Sequence, residues 1–102
     1  MGDINSVIGI VKILEVPKKK KVFNNIFFTK FRAQLPQIKK NKKSVISLVL
    51  WGKLANDIER YYRINDYILI EGYLSVRHFS KINKKKKTQI TVLKVYPLML
   101  KN

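Results

Sequence analysis

Apolar residues along this chain recur with a period near two and favour Val, Ile, Phe and Tyr, the pattern of half-buried strands. The alternation predicts a first strand over residues 6–14, ended by Pro17, and a second over residues 23–35, ended by Pro36. A third covers residues 44–51. A fourth covers residues 67–79, long enough to need a bend, and Gly72 supplies it. A fifth spans residues 88–96 and stops at Pro97. One stretch departs from this period: Leu54, Ala55, Ile58, Tyr61 and Tyr62 recur at three-to-four spacing around Asn56, Asp57, Glu59 and Arg60, which makes a short amphipathic helix. Three strands, one helix and two strands fit an all-β, five-stranded Greek-key barrel of the OB type, with the helix between strands three and four plugging its end. An open α+β sheet fits the same order.

Alternate side chains of a strand face opposite sides, and only one side faces the core. In the third strand Ile46, Leu48 and Leu50 form one row, and Val45, Ser47, Val49 and Trp51 the other. The row with Ser47 is expected outward, which puts an indole on a barrel face and leaves Val45 and Val49 beside it for contact between subunits rather than with DNA. In the second strand Lys30, Arg32 and Gln34 share a side with Phe28, against Thr29, Phe31, Ala33 and Leu35. In the fourth, Glu71, Tyr73, Ser75, Arg77 and Phe79 oppose Ile68, Ile70, Leu74 and Val76. Outward rings among cations suit single-stranded nucleic acid, because bases stack on the rings while Lys and Arg follow the phosphates. The competing reading makes Trp51, Phe28, Tyr73 and Phe79 ordinary core or subunit-interface aromatics.

Charge strengthens the first reading. Twenty-two Lys and Arg against six Asp and Glu leave a formal net charge of +16, which calls for a polyanionic partner. The lysines cluster: Lys18, Lys19, Lys20 and Lys21; then Lys39, Lys40, Lys42 and Lys43; then Lys84, Lys85, Lys86 and Lys87. These blocks are expected in the loops after strands one, two and four. Lys, Asn and Ile together make up 39 residues, a bias that an AT-rich genome produces unaided, so the placement of the lysines carries the argument rather than their number. At 102 residues the chain amounts to one domain.

Other chemistry is poorly served. With no cysteine and one histidine, disulfide scaffolds, thiolate metal sites and cysteine nucleophiles fall away, and neither cofactor nor metal is expected. Asp57 and Glu59 stand two apart on a helix and share no face, while Asp66 and Glu71, five apart on a strand, point to opposite sides. The four glycines lie too far apart for a phosphate-cradling loop, and His78 reads as a packed or hydrogen-bonded side chain. The expectation is a protein that is not an enzyme and has no small-molecule substrate. No apolar run approaches the roughly 20 residues of a membrane helix, and the start lacks a secretory pattern, since Asp3 precedes the apolar run and Lys12 interrupts it. A soluble intracellular protein with no membrane partner is expected.

Residues 48–55, LVLWGKLA, followed by residues 66–79, DYILIEGYLSVRHF, resemble the signature of the bacterial and organellar single-stranded DNA-binding protein family. The resemblance runs from about Asn5 to the C-terminus. It implies an OB-fold that assembles into a homo-oligomer, a tetramer or dimer, and binds single-stranded DNA without sequence preference. Under it, the family's base-stacking aromatics fall on Trp51 and Phe79 and its strand arginine on Arg77. A further family aromatic, six residues before the Trp51 position, falls on Val45 and is absent here. The glycine that usually closes the helix falls on Asn65, and Asn accepts the left-handed conformation. Bacterial members continue into a flexible segment with an acidic, hydrophobic tip; this sequence ends at Asn102 after Leu98, Met99, Leu100 and Lys101, which implies a short tailless member, plastid-encoded or from the bacterial cytoplasm.

The leading expectation is therefore sequence-independent binding of single-stranded DNA. Trp51 and Phe79 stack bases with Tyr73 and Phe28, Arg77, Lys30 and Arg32 line the face, and Lys40, Lys42, Lys43, Lys84, Lys85, Lys86 and Lys87 gather phosphates. The alternatives are an RNA- or ribosome-associated OB protein and a protein-docking adaptor in a replication or transcription complex.

Overall fold

Each of the five expected strands carries one apolar row, and a sheet that curls until its first and last strands meet takes these rows out of water together. The computed structural model, which describes residues 6–22, 24–36, 44–78 and 86–98, shows that closure. Its elements are β1 (Ser6–Ile13), β2 (Lys19–Lys21), β3 (Phe27–Leu35), β4 (Ser44–Trp51), α1 (Lys53–Tyr61), β5 (Tyr67–His78) and β6 (Lys86–Pro97). Strands β1, β5 and β6 are joined antiparallel, β6 runs parallel to β4, and β4 runs antiparallel to β3. Strand β3 returns to β1 through Lys12↔Gln34 and Ile13↔Ala33, which closes five strands into the OB barrel. Phe31, Leu48, Leu50, Ile68, Ile70 and Ile90 fill its interior with almost no exposure. Helix α1 turns Ala55 and Ile58 onto this core and covers one end.

Two glycines set the bends. The β5–β6 register slips between Glu71 and Gly72, so that Glu71 pairs with Lys94 but Gly72 with Val92, and the bend expected at Gly72 is a bulge. A Cβ on Gly72 would lie 2.1 Å from the carbonyl oxygen of Thr91, so the backbones approach as only glycine permits. Gly52 takes φ 63° and ψ −129°, a conformation that side chains with a Cβ avoid, and it turns the chain from β4 into α1. Its N–H donates to the Phe27 carbonyl at 2.8 Å, which ties the end of β4 to the start of β3.

The structure departs from the sequence expectations at five points. The first lysine block is not a loop: Lys19–Lys21 form a sixth strand, β2, antiparallel to β3 outside the closed barrel. The expected strand 23–35 is divided accordingly, because Asn24 and Asn25 take left-handed φ of 63° and 60° and reverse the chain before β3 starts at Phe27. Val49, expected outward and accessible, is 6% exposed; pairing sets it between Lys30 and Thr91, and a short side chain among longer ones is covered by them. Asn65 has the left-handed φ, 75°, yet it does not close α1, which ends at Tyr61; it lies in the turn into β5, where its N–H donates to the Ile13 carbonyl at 2.7 Å. Asp66 stands in that same turn rather than on a strand, accepting from the Arg63 N–H at 2.8 Å.

Candidate nucleic-acid interface

Strand pairing converts the parity argument into a map, since residues directly opposite each other point to the same face. One outward row runs Lys30, Val49, Thr91, Tyr73 across β3, β4, β6 and β5. The next runs Arg32, Ser47, Gln89, Ser75. On the other side of the first row, Phe28 pairs with Trp51. Four residues expected to act together, Trp51, Phe28, Lys30 and Tyr73, thus share one continuous outer face of the barrel.

The rings of Phe28 and Trp51 lie 5.2 Å apart between centroids with planes tilted by 33°. Such an offset pair contributes about 0.5–1.5 kcal/mol beyond its buried area. Phe28 is the more covered of the two, while the indole stays 49% exposed. Tyr73 is 43% exposed. The geometry therefore offers one backed indole surface and, beyond the Lys30–Val49–Thr91 row, a phenol ring able to take a second base.

Lys30 and Arg32 bring positive charge to this face. Lys30 is exposed on the face. Arg32 is also exposed, but its Nε lies 3.3 Å from the Glu15 carboxylate, and its backbone N–H donates to the other Glu15 oxygen at 2.6 Å. This ion pair, between elements distant in sequence, reduces the charge Arg32 offers to a phosphate. Of the remaining acids, Glu71 faces Lys94 at 3.9 Å and Glu59 accepts from the backbone N–H of Lys19 at 2.5 Å. Arg77 pairs with Lys87, and His78 with Lys86, along the β5–β6 ladder. The side chains of Arg77, Lys86 and Lys87 lie outside the described residues, as do the whole of Phe79, Lys84, Lys85, Lys40, Lys42 and Lys43.

Two features of the site escaped the sequence reading. Parity put both Phe28 and Trp51 outward, but the hairpin joining their strands permits several registers, so their mutual stacking was not readable. The Glu15–Arg32 pair had no local signal either, because the two residues meet only through the approach of β1 to β3.

A closed OB barrel with outward rings and cations on one sheet face defines a class of nucleic-acid-binding domains. The model of the single-strand binding protein family matches residues 4–98, and the chain belongs to that family. It is 39% identical over 99 residues to the "Putative single-stranded DNA-binding protein ycf41" of Trieres chinensis, covering 89% of this chain and 86% of the relative. Among solved structures, the SSB domain of a Synechococcus sp. protein superposes with a TM-score of 0.77 at 23% identity, covering 94% of this chain and 98% of that one. A small single-stranded DNA-binding protein from Streptomyces coelicolor superposes with a TM-score of 0.79 at 12% identity, covering 96% and 95%. At these identities the two structures establish a shared fold.

Proposed function

We propose that this chain binds single-stranded DNA without sequence preference, residues 1–102 acting as one OB-fold domain and as an accessory in replication, repair or recombination. The observation that carries the reading is the half-exposed indole of Trp51, backed by Phe28 on the same barrel face as Lys30 and Tyr73. Family membership and the ycf41 relative support it. Each stacked base contributes about 1–3 kcal/mol, and phosphate contacts add a salt-dependent part. Phe79, Arg77 and the lysines of the second and third blocks belong to the same proposal as further base and phosphate contacts. Binding of this kind involves no catalytic group.

The test is titration of Trp51 fluorescence with oligo-dT at low salt. Saturable quenching is expected, with affinity falling by about 0.7 log units per log unit of salt for each phosphate contact. Emission unchanged at saturation would remove Trp51 from the interface and the proposal with it. Competition between dT and rU oligomers separates DNA from RNA as the preferred strand.

Homo-oligomerisation as a dimer or tetramer belongs to the same reading. The outer side of β1, β5 and β6 exposes Ile8, Ile10, Tyr67, Leu93 and Tyr96, an apolar surface that supports contact between copies. Mass measurement in solution, with and without oligo-dT, decides between the two states and a monomer. A plastid setting belongs to the same proposal and is supported by the Lys, Asn and Ile bias of the sequence.

A further inference from the structure

The sixth strand divides the first lysine block into two faces. Lys20 pairs with Phe28, which in turn pairs with Trp51, so Lys20 continues the ring row off the barrel and onto the sheet edge. Lys18, also exposed, lies immediately before β2 and next to this edge in the chain. Lys19 and Lys21 pair with Thr29 and Phe27 and belong to the opposite side. Lys19 serves as an anchor there: its backbone N–H donates to Glu59, its Nζ donates to the Asn56 side chain at 2.9 Å, and that ammonium lies 4.7 Å from the centroid of the Phe27 ring. These contacts hold β2 against α1 and fix which way its neighbours point. Among the described residues, neither Lys18 nor Lys20 is in an ion pair.

We propose that Lys18 and Lys20 hold the DNA backbone as the strand leaves the Phe28–Trp51 rings, so that the binding track runs from the barrel face onto the edge strand β2. The inference rests on the single-stranded DNA reading above and assigns that reading a direction and two phosphate contacts. A ring stacked on a base leaves the adjoining phosphates within reach of a long side chain beside it, and Lys20 is the cation next to the ring pair on that side. Lysines on an edge strand also discourage unwanted strand pairing. That role needs charge on the edge but does not distinguish one side of the strand from the other, whereas the DNA track does.

The experiment compares Lys18→Gln/Lys20→Gln with Lys19→Gln/Lys21→Gln, each removing two charges from the first lysine block. Binding of oligo-dT is followed by Trp51 quenching across a range of salt. The first variant is expected to lower the salt slope by about 1.4, hence to weaken binding about 25-fold for each tenfold drop in salt below the point where the two proteins match. Quenching at saturation is expected to persist. Lys21→Gln alone is the fold-neutral control, since it leaves the Lys19 anchor in place, and its slope is expected to stay near that of the unsubstituted protein. A loss of slope from Lys21→Gln equal per charge to that from Lys18→Gln/Lys20→Gln, or no loss from Lys18→Gln/Lys20→Gln, overturns the track on β2 while leaving the Trp51 reading standing. Absence of quenching in the unsubstituted protein is a different result and strikes the underlying proposal instead.

Discussion

Phe28 and Trp51 offer the sharpest test of how the face works, because their roles predict non-additive losses. If the base lies on the indole and Phe28 serves to hold that indole in place, replacing Phe28 removes only what the ring pair contributed to order. At a separation of 5.2 Å and a tilt of 33°, that contribution is about 0.5–1.5 kcal/mol, so Phe28→Leu should weaken oligo-dT binding by about 2- to 13-fold. Trp51→Ala removes the stacked surface itself, worth about 1–3 kcal/mol, or about 5- to 160-fold. In the Trp51→Ala background there is no indole left to hold, so Phe28→Leu should then cost almost nothing. The coupling in a double-mutant cycle should equal nearly the whole Phe28→Leu effect. Anisotropy of a labelled dT oligomer reads all four proteins without relying on the tryptophan. Effects that add to within about 0.3 kcal/mol would refute the backing role and make Phe28 an independent contact.

The two glycines should fail for different reasons and by different amounts. Gly52→Ala meets open space, so its cost is backbone strain alone, about 1–3 kcal/mol in thermal unfolding, with loosening of the indole next to it. Gly72→Ala drives a Cβ against the Thr91 carbonyl backbone and should cost about 3 kcal/mol or more; a Gly72→Ala protein more stable than Gly52→Ala would contradict the bulge geometry. Glu15→Gln removes the charge that competes for Arg32. It should tighten dT binding and raise the salt slope by up to about 0.7, while the loss of an exposed ion pair changes stability by less than about 1 kcal/mol. An unchanged slope would remove Arg32 from the contacts.

Strand alternation made the barrel legible because each inward row is nearly unbroken: Ile46, Leu48 and Leu50, or Thr29, Phe31 and Ala33, announce a buried side by their spacing alone. Alternation failed where composition opposed it. Three consecutive lysines carry no apolar row, so nothing in residues 19–21 signals a strand, and β2 exists because its backbone pairs with β3 and because Lys19 is anchored on α1. Val49 failed in the opposite sense, since the depth of an outward residue depends on the neighbours that pairing supplies. The candidate face was readable strand by strand through Trp51, Phe28, Lys30 and Tyr73. Its assembly into a single surface was not, because it depends on three registers, and one of these is the parallel β4–β6 pairing that joins strands distant in sequence.

The same rows explain why such a face should bind without reading sequence. Between the rings and the cations, the outward positions are filled by Ser47, Ser75, Thr91 and Gln89. A hydroxyl can rotate to donate or to accept, and an amide offers both groups, so these side chains adapt to whichever base edge is nearby. Discrimination needs the reverse, a fixed fork such as a paired Arg or Asn held against one donor–acceptor pattern. Among the described side chains, the guanidinium on this face is that of Arg32, and it is already engaged by Glu15 at the barrel's side. What remains among the described side chains is ring surface, which every base can stack upon, and ammonium groups, which every phosphate can satisfy. Affinity for dT, dA and dC oligomers should therefore differ only as their own stacking and stiffness differ, and a preference of 100-fold or more for one sequence, about 2.7 kcal/mol, would require a base-reading contact that these rows do not contain.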